Sequence, residues 1–240
     1  MIFENKRFVV TGASSGIGYE TALHLARNEA KVLAVARREK ELLELKSNMP
    51  AKIFISALDV CDGMLLEDCI ANFVEKHGRI DGSVHSAGLA MFTPLKTFNQ
   101  ATAREMMDVC FWAGVSLLQI VTSKKYSNPN SSHVQIASIN AYRGQKGMGI
   151  YCAVKAAVSA SVRAFAKELA IKGIKVNSIS PGIIETNLSE NLMFKTYEEN
   201  LPPLGKGTTM DVADLVLFLL SNKSKWITGT DIIIDGGYLA

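Results

Sequence analysis

Cysteine is scarce in this chain and never paired. Cys61, Cys69, Cys110 and Cys152 form no CxxC and share no ligand spacing with the four histidines. That excludes a disulfide scaffold and the usual zinc sites, so reduced thiols, a cytoplasmic protein and no bound metal are expected. Charge of one sign is lacking as well. The formal net charge is +3, with no Lys/Arg block and no basic-aromatic interleaving. A nucleic-acid partner is therefore not expected. No apolar run reaches the roughly 18 residues a bilayer crossing needs, so no membrane span is expected. Polar residues Glu4 to Arg7 follow the start and the first apolar run is short, so no secretory signal is expected. There is no internal repeat, low-complexity tract or linker, and 1–240 reads as a single domain.

What is present suits one large core. Of 240 residues, 48% are hydrophobic and only 20% charged, which argues against disorder. Short apolar runs alternate with amphipathic segments. Strands are expected at Phe8–Val10, Lys31–Ala36, Lys52–Leu58, Ile80–His85 (interrupted by Gly82), His133–Ala137, Ile174–Ile179 and Asp231–Ile234. Helices are expected after the first turn, at Glu39–Ser47, Leu65–His77, Ala101–Lys125, from Tyr151 to about Ile171, and at Asp211–Leu220. The run SNPNSS, Ser127 to Ser132, breaks the long fourth pattern. Strict alternation predicts an α/β fold: a Rossmann-type, doubly wound parallel sheet of about seven strands with helices on both faces. Near-continuous apolar strands fit a sheet covered on both sides. The least regular stretch, about 185–210, holds Pro202, Pro203, Gly205 and Gly207 and reads as a substrate lid. Its Leu188, Leu192, Met193 and Phe194 suit an apolar wall or, equally, the core.

The first strand ends in TGASSGIG, Thr11 to Gly18. Gly12, Gly16 and Gly18 serve a tight turn, close approach to a pyrophosphate, and helix-on-strand packing. The helix N-terminus presents free N–H groups to the anion, which makes Ser14, Ser15 and Ile17 candidate cofactor contacts beside the glycines. Where an NAD site wants a carboxylate about 20 residues on, the second strand ends in Ala36, Arg37 and Arg38. A guanidinium grips a 2′-phosphate that a carboxylate would repel. NADP(H) is therefore the expected cofactor, with Arg37 the nearer of the two arginines; both are also plausible as solvated helix-entry charges. Asp59-Val60 follows the third strand, where Asp59 either accepts from the adenine amino group or caps a turn.

The chemistry is expected between Ser138 and Lys155. Tyr151 and Lys155 stand at i and i+4, so a helix puts both on one face. A free tyrosine ionises near pH 10 and is a poor base at neutrality. A lysine cation about 4 Å away, at an effective dielectric near 20, favours phenolate by roughly 4 kcal/mol, with burial acting the other way. Such a tyrosine trades a proton with an alcohol or carbonyl oxygen. Ser138, 13 residues upstream, can donate to the same oxygen. The plainer alternative is a surface helix pair and a loop serine.

These residues give the chain a family likeness. It resembles the classical short-chain dehydrogenase/reductases over essentially its whole length, and most of all their 3-oxoacyl-(acyl-carrier-protein) reductases. TGASSGIG matches the cofactor loop, Ser138, Tyr151 and Lys155 the catalytic set, and ITGTDIIIDGG the closing strand. The PLGKG stretch at Pro203–Gly207 and the WITG ending carry the branch likeness. The resemblance implies that Ser86, Ala87 and Gly88 approach the cofactor. It implies that Pro181, Gly182, Ile184 and Thr186 meet the nicotinamide, and that Tyr151 and Lys155 also hold its ribose. It further implies an NADPH-dependent exchange of carbonyl and secondary alcohol on a small-molecule or acyl-thioester substrate. A homotetramer, or a dimer, is implied too, with the long helices around Cys110 and Tyr151 at the interface.

Three departures stand out. His85 replaces the first asparagine of the family's NNAG, removing a strand-stabilising amide. Cys110 replaces a helix asparagine that helps hold a water behind the lysine. SNPNSS lacks the charge expected of a carrier-docking segment, which leaves Lys172 as one basic candidate. Two other readings therefore stay open: an NADP-binding regulator or scaffold without turnover, and a reductase of a sugar or polyketide intermediate.

Overall fold

The structure, a computed structural model, describes residues 2–186 and 201–240. In chain order the elements are β1 (Arg7–Thr11), α1 (Gly16–Arg27), β2 (Lys31–Ala36), α2 (Glu39–Asn48), β3 (Ile53–Ala57), α3 (Gly63–His77) and β4 (Ile80–His85). There follow α4 (Gln100–Met107), a π-helical turn (Asp108–Trp112), α5 (Ala113–Val121), β5 (Ser127–Ile136) and α6 (Gly149–Leu169). The chain closes with β6 (Lys175–Pro181), α7 (Thr209–Leu220) and β7 (Asp231–Ile234). The strands form one seven-stranded sheet in the order β3-β2-β1-β4-β5-β6-β7, every pair parallel. The order reverses between β1 and β4, which opens a crevice at their carboxyl ends.

Alternation along the strands distributes the core. Phe8 and Val10 face one side and pack with Leu25, Leu42, Val212 and Val216 of α1, α2 and α7. Val9 faces the other side with Leu66, Ile70 and Leu117 of α3 and α5. Further along that second side, Leu118 of α5 and Val162 of α6 close on Val176. The second side also buries Ser83, His85, His133, Gln135, Ser178 and Ser180. Its strands are thus less apolar than expected.

Gly82 does not interrupt β4. A methyl group there would collide with the Ser132 carbonyl, so only glycine lets β4 and β5 pair. SNPNSS breaks the helix as expected, yet belongs to β5 and not to a connecting loop. Ile80 pairs with Ser127, then the register jumps to Gly82–Ser132. The intervening bulge places Asn130 at φ 61° and bonds Ser127 to Ser131 at 2.8 Å. The helix expected at Ala101–Lys125 is α4 and α5 joined by the π turn.

The C-terminal part of the expected lid is tied down. Gly207 bridges Ile184, Leu204 donates to the Gly236 carbonyl, and Thr208 with Asp211 caps α7 two residues earlier than expected. The lid positions Leu188, Leu192, Met193 and Phe194 lie outside the described residues.

Candidate active site

Gly12, at φ 69°, lets the turn after β1 lie against the segment after β4: a methyl group there would sit 2.5 Å from the Ala87 nitrogen. A methyl group on Gly18 would strike the Gly12 carbonyl, so α1 packs directly on the turn. Gly16, at φ 59°, lies under Thr186, whose Cγ2 is 3.4 Å from the position of a Gly16 methyl group. The loop that leaves β6 therefore reaches the glycine turn. Ile17 packs against the first core. Ser15 caps α1 by position only, with no side-chain hydrogen bond to the helix.

The two arginines part company. Arg38 reaches back to this turn, with Nη2 donating to Ser14 Oγ at 2.9 Å and to Ser15 Oγ at 2.6 Å. Arg37 lies 4.0 Å from Asp59, both side chains well exposed. Sequence order makes Arg37 the nearer cation, but the structure puts Arg38 beside the turn. Asp59 also accepts from the Cys61 N–H at 3.0 Å, as a turn cap does, while Val60 is buried.

Past β4, Ser86 donates to the Thr11 carbonyl at 3.3 Å and Ala87 to Thr11 Oγ1 at 3.4 Å. A methyl group on Gly88 would lie 3.6 Å from Cys110 Sγ and 3.7 Å from Lys155 Nζ. The candidate lysine thus stands directly over the cofactor segment. Tyr151 lies in the first turn of α6, with Lys155 one turn on, 8% and 5% exposed. Lys155 Nζ is 5.8 Å from the Tyr151 ring centre and donates to the Ile136 carbonyl at 2.8 Å. Burial of both removes the reading of a surface pair. Ser138 follows β5 by two residues, and its Oγ accepts the Asn140 N–H at 3.2 Å, starting the one-turn helix Ile139–Ala141. Pro181 ends β6, and Gly182 donates to the Ile234 carbonyl at 2.8 Å, which carries Ile184 and Thr186 toward the crevice.

Cys110 sits in the π turn, 1% exposed. Its sulfur accepts the Leu89 N–H and donates to the Leu89 carbonyl, each at 3.4 Å. It packs with Met106, Met148 and Tyr151 in an apolar cluster that also receives Met91. Thr93 donates to the Gly147 carbonyl at 2.7 Å, and Phe92 lies over Gly147, so the segment after β4 walls the site.

His85 supplies what its sequence position had suggested was lost. Its Nδ1 lies 2.9 Å from Thr11 Oγ1 and its Nε2 3.0 Å from the Val109 carbonyl. A carbonyl only accepts, so Nε2 carries the proton and Thr11 donates to Nδ1. Burial, then repulsion from Lys155, pushes the imidazole down to about 4 and keeps it neutral. The imidazole therefore joins β1, β4 and the π turn. The signal for this was the register that sets Thr11 beside His85, which sequence alone does not reveal.

A parallel sheet with a glycine turn at its order reversal, and a buried Tyr-Lys helix beside it, defines a Rossmann-type dehydrogenase class. The family model described as enoyl-(acyl carrier protein) reductase matches residues 12–239. A 3-oxoacyl-(acyl-carrier-protein) reductase of Thermotoga maritima is 34% identical, over 99% of each chain. Among solved structures, a glucose/ribitol dehydrogenase-type protein from Brucella melitensis superposes with TM-score 0.93 at 29% identity, over 98% of this chain and 97% of that one. A Burkholderia cenocepacia short-chain dehydrogenase in complex with NADP gives TM-score 0.93 at 25% identity, over all of both chains. The chain belongs to the short-chain dehydrogenase/reductase family of oxidoreductases. Within it, the chain stands close to the 3-oxoacyl-(acyl-carrier-protein) reductases.

Proposed function

We propose that this chain uses NADP(H) to interconvert a carbonyl and a secondary alcohol, with 3-oxoacyl thioesters as the first substrate class to test. The observation that carries this reading is the place of Lys155, buried between Gly88 and Tyr151. The glycine turn and the free N–H groups at the start of α1 suit a pyrophosphate, and Arg38 with Arg37 suits a 2′-phosphate. The bound cofactor supplies or accepts hydride. Ser138 positions the substrate oxygen, and Tyr151 gives it a proton in reduction. Lys155 stabilises the resulting phenolate and holds the ribose hydroxyls. Thr186 and the backbone of Pro181–Ile184 position the nicotinamide.

The apolar cluster of Met91, Met106 and Met148 favours an acyl chain next to the reacting carbon. The Thermotoga relative, a 3-oxoacyl reductase by name, supports the same class. The Brucella neighbour, titled for glucose and ribitol, supports a sugar ketone as the second class. Exposed Trp112 on the π turn suits pairing of copies across α5 and α6, as in a tetramer or dimer. The test is NADPH oxidation by the purified chain against acyl thioesters, keto-sugars and simple ketones. Turnover of one class supports the reading, and tight NADPH binding with no turnover of any class contradicts it.

A further inference from the structure

On the sheet face beneath α5 and α6, one register position is polar on five adjacent strands. Thr11, His85, Gln135, Ser178 and Asp231 are successive partners across β1, β4, β5, β6 and β7. One end of the row is closed by the bond between Thr11 and His85. At the other end Asp231 Oδ2 accepts from Ser180 at 2.7 Å and from Tyr142 at 2.8 Å. In the middle, Gln135 Nε2, Ser178 Oγ and Asp231 Oδ1 are buried and have no protein partner. They belong to three consecutive strands. Leaving each unpaired costs about 1–3 kcal/mol. Adjacent strands lie about 4.8 Å apart, too far for a direct bond of about 2.8 Å but right for one bridging water.

The helix above repeats the pattern. Tyr151, Lys155 and Ser159 stand at i, i+4 and i+8 on one face of α6, all buried. Ser159 Oγ lies 3.4 Å from Tyr142 Oη, and Tyr142 is 51% exposed. Gln135 and His85 both crowd Gly114, where a methyl group would lie 2.5 Å from Gln135 Oε1 and 2.9 Å from His85 Cδ2. The seam thus runs from beneath Lys155 to solvent at Tyr142, away from the cofactor crevice.

We propose that Gln135, Ser178, Asp231, Ser159 and Tyr142 hold a file of buried water that carries protons between solvent and Lys155. This rests on the reading of Tyr151 and Lys155 given above. In reduction the Tyr151 O–H bond breaks as the alcohol O–H bond forms. The phenolate takes a proton from the Lys155 ammonium, and the amine takes one from the file. Bulk water at Tyr142 and Asp231 supplies that proton. One proton enters per turnover and no electron passes through the file. Ser178 and Ser159 act through Lys155 and are positioning residues.

The test compares the parent with Ser178→Ala, Ser159→Ala and Ser159→Thr, using NADPH and a reactive diketone. For both alanine variants kcat falls about tenfold, less than the 10²–10⁴-fold of a direct acid–base group. The solvent deuterium isotope effect on kcat rises, while KM and NADPH affinity hold, and Ser159→Thr restores most of the rate. If the parent turns over and both alanine variants match it in rate and isotope effect, the file is wrong while the proposed function stands. If the parent fails on every carbonyl class, the proposed function fails and the file with it. Should Ser178→Ala not fold, Ser159→Ala decides alone. A crystal structure of the parent adds a readout independent of turnover: ordered water on Gln135 Nε2 and Ser178 Oγ supports the file, and a dry seam overturns it.

Discussion

His85 Nε2 donates to the Val109 carbonyl at 3.0 Å, tying the end of β4 to the π turn that carries Cys110. The bond occupies a carbonyl that an ordinary α-helical ladder would use, and π turns of this kind recur at functional sites. The same imidazole accepts from Thr11, so one side chain sets the spacing of β1, β4 and the helix beside the cofactor crevice.

Removing that side chain strands two buried partners and leaves a cavity. His85→Ala is expected to lower stability by about 2–4 kcal/mol in urea unfolding. His85→Asn, which keeps a partner for Thr11, is expected to lose less. Unchanged stability of His85→Ala would contradict the bridging role.

Acid should weaken the fold through two histidines. Burial, then Lys155, lowers His85 to about 4, and burial lowers His133 to about 3, against an ordinary value of 6.5. Below about pH 6.5 the unfolded chain binds protons that the folded chain refuses. The stabilisation is therefore complete above that pH and is lost as pH falls through the folded values. Urea midpoints measured from pH 7 to pH 4 should fall, and fall less in His85→Asn. A flat profile would contradict the neutral, buried assignment.

Much of this arrangement was legible in residue order. Glycine spacing, strand-helix alternation and the Tyr151–Lys155 pair are local patterns, and each fixes a local geometry. His85 was not legible, because its partners Thr11 and Val109 meet it only through sheet register and a helix turn. SNPNSS read as a loop because proline and asparagine favour turns, yet the bulge after Ser127 lets that stretch stay in β5. Arg38 was hidden for a related reason: its contact with Ser14 and Ser15 spans two elements.

Cofactor choice should follow both arginines. NADPH is expected to bind at least about tenfold tighter than NADH, about 1.4 kcal/mol. Arg37→Ala and Arg38→Ala should each erode that preference, and the double variant should abolish it. Titration of cofactor fluorescence measures it, and equal affinities in the parent would contradict the NADP(H) reading.

Cys110 replaces an amide with a thiol but keeps two contacts to Leu89. Cys110→Asn is therefore expected to change turnover by less than about 100-fold, below most direct acid–base effects, and to leave NADPH affinity alone. A dead parent revived by Cys110→Asn would show that the thiol marks lost catalysis.

The central claim is that Tyr151 protonates the substrate while Lys155 supports it from beside the cofactor. The most direct measurement is NADPH oxidation by Tyr151→Phe on the best carbonyl substrate, with NADPH affinity measured on the same protein. Phenylalanine keeps the ring in its apolar cluster and removes only the hydroxyl. Turnover should fall by about 10²–10⁴-fold or more with affinity within about twofold of the parent. Turnover near the parent rate would contradict the account.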